Sequence, residues 1–377
     1  MLDRVYNRLT VTGIEGRLLL SDNGFKRALA KGSIRVTPEL TDKSIQPGSL
    51  DVRIGEAIIH NTYQRDLEPA IAGPPVTEVD GVLQVTEFDD DPELLYGHVV
   101  PDEEDSEIVI HPNGAAKIYF HETIDFDLKN YFLDVDLRSS RGRMGLVIDP
   151  RFVEIEGNRR FVVIHNRNPN SIKLYGRSRF AQLFFHPQND SIPHDGYAVS
   201  NPDEAADIAS KVVKGSYEMI GHYLVFQAGS FVKRFKENLG IIDTKLEYTD
   251  SMLYNTEELG EVMIAPNTAT LLQADPALEL PGDIGIRLLT KFPINPKYVT
   301  IEDRLRAFTI ANAVWFDPGF KGNGTLHPRS LMAHLHIKKG DGLALGIFYK
   351  YTEPVGLKYG LERGSHYQGS KGDGFKS

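Results

Sequence analysis

The sequence predicts an all-β (mainly) protein made of two modules of short strands, with a few short helices. Three observations predict it. From Glu107 onward, short runs alternate apolar and polar side chains between Gly, Pro, Asn and Asp turns, the spacing of a sandwich or barrel. Strand patterns return from Glu261, and both halves carry an Arg-containing segment and a strand ending near Asp-Pro, at Asp149-Pro150 and Asp317-Pro318; this points to an internal duplication. Helical spacing is confined to brief segments. The expected organisation is a β module over 1–190, a connector with helices over 191–255, and a second β module with a closing tail over 256–377.

The elements follow in order. Ser21, Asp22 and Asn23 offer N-cap oxygens, Phe25 and Leu29 form an apolar face, and Gly32 supplies a stop, so a short amphipathic helix begins the pattern. Ser33-Ile34-Arg35-Val36 alternates like a strand. In SIQPGSLDVRIG, from Ser44 to Gly55, Pro47-Gly48 marks a turn, and Leu50, Val52 and Ile54 alternate with Asp51 and Arg53. That is a half-buried strand with an acid and a base on its other face, where a surface ion pair of Asp51 with Arg53 or a neighbour is the simplest role. Six strands follow in EIVIHP, AKIYFHE, YFLDVDL, RFVVIHN, SIKLYG and FAQLFFHP. DEAADIASKVV, from Asp203 to Val213, has helical spacing and an acidic first turn, and Phe231 to Leu239 is compatible with a second helix. EVMIAP, TATLLQA, DIGIRLLT and RAFTIANAVWFD read as strands of the second half. SIQPGSLDVRIG has no counterpart there.

Charge and composition narrow the chemistry. A net charge of -10 argues against a general nucleic-acid binder. The absence of cysteine excludes disulfides and any zinc site that needs thiolates. No apolar run approaches a membrane span, and MLDRVYNRLTVTG lacks the apolar core of a signal peptide; a cytoplasmic protein is expected. The acidic stretches Asp89-Asp90-Asp91 and Glu103-Glu104-Asp105 read as solvated loops.

Two stretches carry chemistry. In LRSSRGRMGL, from Leu137 to Leu146, the hydroxyls of Ser139 and Ser140 sit between Arg138 and Arg141, with Arg143 as a third cation. Gly142 and Gly145 let the backbone approach a ligand. Hydroxyls and guanidinium groups on a glycine-relaxed turn suit a polyphosphate, although a basic surface turn has the same composition. In AVWFDPGFKGNG, Asp317 lies at a strand-to-turn junction beside Trp315 and Phe320. A carboxylate beside aromatic faces suits a sugar and a base; an ordinary Asp-Pro-Gly turn is the alternative. His334 and His336 share a strand face without a visible third ligand, so no protein-bound metal is expected.

These stretches resemble a known family. SIQPGSLDVRIG resembles the IQPxSxDxRxG motif of dCTP deaminases, within the dUTPase-like superfamily. RSSRGRMGL resembles its RSSxxRxGL segment, and WFDPGFKGNGTL its IDPGFxGxxTL segment. Tyr359-Gly360 followed by Gly364-Ser365-His366-Tyr367-Gln368-Gly369 resembles its YGxxxGSxYQGQ tail. The length and the split of motifs between the halves look like the long, duplicated members. The resemblance implies two dUTPase-like distorted β-barrel modules, homo-oligomers with threefold symmetry, and nucleotide sites at interfaces. It implies hydrolytic deamination of dCTP to dUTP and ammonia, with Mg²⁺ bound through the triphosphate and no zinc.

Carried over position by position, the resemblance assigns Arg138, Ser139 and Ser140 to the phosphates and puts Arg143 near the reaction centre. It assigns Asp317 to the 3′-hydroxyl, Phe320 to the sugar, and Tyr359, His366 and Gln368 to closure over the phosphates. In the second half Arg304 aligns with Arg143, but Thr300 and Ile301 stand where the serines would be. One competent site per chain is therefore expected, with phosphate contacts from the first module and sugar and base contacts from the second. The family's proton-shuttling glutamate is missing: His327 stands in its place, and the matching strand of the first half, Phe161 to Asn166, carries no carboxylate either. Three expectations follow. His327 transfers the proton, which an imidazole pKa of about 6.5 permits. Or Glu154 or Glu156 substitutes. Or deamination is lost, leaving a dUTPase-like pyrophosphohydrolase in which Asp51 holds Mg²⁺ or water, or a non-catalytic nucleotide-binding protein.

Overall fold

The computed structural model describes residues 18–41, 43–60, 76–79, 82–85, 98–148, 153–157, 159–188, 191–192, 194–265, 268–288, 309–310, 315–329, 334–356 and 370–371. Helix α1 (Asp22–Ala30) is capped by Ser21, whose hydroxyl accepts from the N–H of Asn23 at 3.1 Å and of Gly24 at 3.2 Å. This satisfies two of the donors that a helix start leaves without intrahelical partners.

The first half then builds β1 (Leu50–His60), β2 (Ala115–Phe120), β3 (Tyr131–Leu137), helix α2 (Ser139–Arg143), β4 (Leu146–Ile148), β5 (Arg159–Asn166), β6 (Ser171–Tyr175) and β7 (Arg179–Pro187). The main sheet runs β3-β7-β1-β2-β5-β4, every pair antiparallel. The register places Gln182 opposite Asp51 and Ala181 opposite Leu137. The second half supplies α3 (Pro202–Val212), β8 (Tyr223–Phe235), β9 (Thr270–Glu279), β10 (Ile284–Leu288), β11 (Trp315–Phe316), β12 (Lys321–Leu326) and β13 (Gly342–Tyr351). Its sheet runs from Leu18–Leu19 through Gly196–Ala198 to β13-β8-β9-β12 and ends on Ser370–Lys371; β10 joins β13 to β11. The fold is mainly β, as the alternation predicts.

The segment expected to be a connector is more than that. Gly196–Ala198 and the 13-residue β8 both belong to the second sheet, and β8 pairs with β13 on one side and β9 on the other. Where a helix was expected from Phe231 to Leu239, β8 runs on to Phe235 and a loop follows. Here the chain also pairs with Tyr254–Glu258, and strand pairing outweighs a local pattern compatible with either structure. Within this segment α3 is helical as predicted, with Asn201 accepting from the N–H of Asp203 and Glu204.

Apolar side chains gather in three clusters. One fills the first sheet and its covering elements, and one fills the second. The third lies at the junction and joins Leu19 and Phe184 to Val225, Leu345, Tyr349 and Tyr351. An ion pair between Arg287 of β10 and Asp134 of β3 crosses the same junction, with the guanidinium 5.3 Å from the Phe184 ring.

A second tie joins Ile241–Asp243 to β6 in parallel. Burial raises the Asp243 pKa, but the Tyr175 hydroxyl, the Lys245 N–H and the Lys173 ammonium outweigh it and bring the carboxyl down to about 2. A depressed carboxyl pKa contributes stability above the unfolded value near 4, and that contribution is lost as pH falls through the folded value. Asp243→Asn is therefore expected to be less stable than the wild type at neutral pH, with the gap narrowing below pH ~4. Urea unfolding across that range checks it; a gap of constant width would show that Asp243 is not the titrating tie.

Candidate functional site

The motif strand and the serine segment meet at Asp51. Its carboxylate is wholly buried, 3.1 Å from Arg138 Nε and 3.2 Å from Arg179 Nη1, and it accepts from Gln182 Nε2 at 3.3 Å. The ion pair expected of Asp51 forms with Arg138 and Arg179 rather than Arg53, and it is buried rather than on the surface. Arg53 reaches Glu122 at 2.6 Å instead, because α2 and β7 cover the end of β1 and bring their own cations to Asp51. Asp51 is correspondingly a poor hard-oxygen ligand for Mg²⁺: its oxygens already face two guanidiniums and an amide. Arg179 and Gln182 were not singled out from sequence. Their signal was faint, one Arg and one Gln on a strand read for its apolar face.

The serine segment is a one-turn helix rather than an open glycine turn. The N–H groups of Arg141 and Gly142 donate to the Arg138 carbonyl at 2.8 and 3.0 Å, so those two are used within the turn. Ser139 is exposed and Ser140 half-buried, while Arg143 is buried at 8% exposure. The Tyr254 hydroxyl donates to the Arg143 carbonyl at 2.7 Å. Gly145, at φ +87°, ends the turn in a conformation that glycine adopts at no steric cost.

The carboxylate corner lies at the junction. Asp317 is buried and accepts from Trp315 Nε1 at 2.9 Å, and its carbonyl accepts from the Phe320 N–H at 3.0 Å, closing the turn. Trp315 packs against Phe184 at 5.7 Å and Tyr349 at 5.4 Å between ring centroids. Phe320 is in the second core against Phe316 and only 6% exposed; its ring is part of the wall behind Asp317 more than an open sugar platform.

Gly48 connects the two motifs. A Cβ there would lie 2.9 Å from the Trp315 ring and 2.8 Å from the Tyr351 hydroxyl, so only glycine lets the Pro47-Gly48 turn of the first half come this close to the second. Tyr351 was also missed from sequence. Its hydroxyl is buried without a hydrogen-bond partner among the described residues. Burial pushes its pKa well above the ordinary phenol value, and the charges of Asp317 and Asp195 push the same way. A run of contacts thus leads from Arg138 through Asp51 and the Gly48 turn to Trp315 and Asp317.

The remaining candidates divide. His327 is buried, 7% exposed, directly after β12. Glu156 is drawn to Lys117 at 2.9 Å and to the Tyr119 hydroxyl; those hydrogen bonds hold its pKa below the usual carboxylate value, which makes it a surface partner and a weak proton shuttle. His336 pairs with Glu261 at 2.9 Å on an exposed strand, and no group of three or more potential metal ligands occurs among the described residues. Tyr359, His366, Gln368, Arg304, Thr300 and Ile301 lie outside the described residues. The tail nevertheless returns to the site's own strand: Ser370–Lys371 pairs in parallel with Gly322 and Asn323 of β12. No helix among the described residues is long and apolar enough to cross a membrane.

Residues 19–187 match a family model described as dCTP deaminase-like. The chain is 29% identical over 176 residues to a "dCTP deaminase, dUMP-forming" of Methanopyrus kandleri, covering 45% of this chain and 81% of that protein. It is 32% identical over 135 residues to a protein of the same description from Acidothermus cellulolyticus, covering 35% and 66%. This chain is about twice the length of these relatives. The fold is similar to the crystal structure of 2′-deoxycytidine 5′-triphosphate deaminase from Agrobacterium tumefaciens, with a TM-score of 0.64 over 89% of this chain and 99% of that one. At 16% identity this is a likeness of fold alone.

Proposed function

The chain belongs to the dCTP deaminase-like family through residues 19–187, and on that premise we propose that it deaminates dCTP hydrolytically. Water adds to C4 of the cytosine ring, the exocyclic amino group leaves as ammonia, and a uracil nucleotide is the product. Arg138, Ser139 and Ser140 bind the phosphates, with Mg²⁺ carried on the triphosphate. Asp317 accepts from the 3′-hydroxyl, and Arg143 steadies charge near the base. One observation carries this reading. Gly48 in the first half touches the indole that donates to Asp317 in the second, while the strand that follows Gly48 holds Arg138 through Asp51.

A second reading concerns the phosphates. The relatives are described as dUMP-forming, which favours further hydrolysis to dUMP and pyrophosphate over release of the dUTP expected above. Incubation with dCTP and Mg²⁺ and assay of ammonia, dUTP, dUMP and pyrophosphate separates the outcomes. Ammonia with dUTP supports deamination alone, and ammonia with dUMP and pyrophosphate supports the longer sequence. Saturable dCTP binding without ammonia overturns both.

Asp317→Asn keeps an acceptor for Trp315 but removes the charge that meets the sugar. A hydrogen bond to a charged group contributes about 1.5–3 kcal/mol, so kcat/KM for dCTP is expected to fall roughly 10- to 100-fold with little change in melting temperature. Unchanged steady-state kinetics would remove Asp317 from the sugar site.

A further inference from the structure

Beside the serine helix lies a cavity of about 230 Å³ that the groups assigned above do not use. Arg141 reaches it from α2, Arg177 and Ser178 from the turn between β6 and β7, and Thr244 and Lys245 from the turn after Ile241–Asp243. Its wall carries Arg141, Arg177 and Lys245 beside the carboxylates of Glu104 and Asp105. Asp105 meets Lys245 at 2.7 Å, and Asp102 meets Arg177 at 3.3 Å.

Two hydroxyls distinguish this wall from an ordinary surface dip. Ser178 Oγ and Thr244 Oγ1 are both buried, and neither has a hydrogen-bond partner among the described residues. Buried polar atoms in native proteins are nearly always paired, so each such exception calls for an explanation, and a ligand is one. The backbone holds both in place. The Ser178 N–H donates to the Tyr175 carbonyl and the Thr244 N–H to the Lys173 carbonyl, each at 3.1 Å. Gly176 packs so tightly that a Cβ would sit 2.1 Å from the Glu103 carbonyl oxygen, which fixes the turn against the loop before it. Two hydroxyl donors beside guanidinium and ammonium groups suit an acceptor-only ligand with several oxygens.

We propose that this cavity is a second oxyanion site, separate from the nucleotide site, that takes inorganic phosphate or pyrophosphate. The test is isothermal titration of the full chain with each anion in turn, in the presence of a saturating non-hydrolysable dCTP analogue. One anion is expected to bind at one equivalent per chain, and the arm that gives heat identifies which. Ser178→Ala with Thr244→Val should weaken that binding at least tenfold, while the apo protein melts no lower than wild type because the lost hydroxyls make no hydrogen bonds. Lys245→Gln, an exposed change, should weaken it severalfold and serves as a second reading should the double variant fold poorly. Ser139→Ala, at the nucleotide site, should leave it unchanged. Absence of binding by both anions under these conditions, or binding indifferent to both cavity variants, overturns the proposal. The readout is anion binding and not turnover; failure of the deaminase reading alone would leave Ser139→Ala and the cavity variants distinguishable in titrations without the analogue.

Discussion

Asp51→Ala is expected to lower the melting temperature of the protein by roughly 6–12 °C, from a loss of about 3 kcal/mol at 2–4 °C per kcal/mol. The reason is the set of partners left behind. Arg138 and Arg179 converge on a carboxylate with no exposed surface, and their own side chains are 29% and 30% exposed. Removing the acid leaves two guanidiniums side by side, with a Gln182 amide that keeps only Ser49 Oγ as acceptor among the described residues. The cost is set at the lower end of the range for breaking a buried pair because both arginines keep some contact with water. Asp51→Asn, which keeps an acceptor, should fall between wild type and alanine. The effect reaches function as well, since Arg138 is the residue at the head of the serine helix. Both variants should raise KM for dCTP more than they lower kcat. Differential scanning calorimetry decides the stability claim; an alanine variant melting within about 2 °C of wild type would place Asp51 among surface-like sites and defeat the account.

His327→Gln is expected to slow ammonia release by about 10²- to 10⁴-fold in kcat, the usual contribution of a positioned general acid–base group. Hydrolytic deamination needs a group that takes a proton from the attacking water and hands one to the departing amino group. On the motif resemblance His327 takes the place of the family's glutamate, and it is buried directly after β12. Of the two carboxylate alternatives, Glu154 and Glu156, the second is engaged by Lys117 and Tyr119. If His327 is the shuttle, the wild-type rate should rise with pH through the imidazole pKa, which is about 6.5 when unperturbed. His327→Glu should then restore much of the activity and move the pH dependence toward the carboxylate range. A structural histidine would show neither the pH profile nor rescue by Glu. Full deamination by His327→Gln would eliminate the residue from the chemistry.

Much of the fold could be read in advance because short apolar-rich runs are bounded by turn residues. YFLDVDL is β3 residue for residue, and RFVVIHN, SIKLYG and FAQLFFHP each match a strand to within about two residues, the normal uncertainty of a boundary. The α1 cap was equally legible, since Ser21 acts on the N–H groups of residues next to it. The stretch from Phe231 to Leu239 was misread because its side chains fit either period, and only its partners β9 and Tyr254–Glu258 make it a strand. Asp51 was misread for a related reason. Its nearest opposite charge in sequence is Arg53, but strand register brings Arg179, 128 residues away, to its carboxylate.

By itself, the sequence determined the β class, the α1 cap and the residue types of the two candidate motifs, because each depends on side chains close together along the chain. Which motif touches which was decided only in three dimensions. Gly48 against Trp315, Asp51 between Arg138 and Arg179, and the two unpaired hydroxyls beside Arg141 all join segments far apart in sequence. Such meetings depend on register and on how two sheets pack at their junction, and local periodicity carries no information about either.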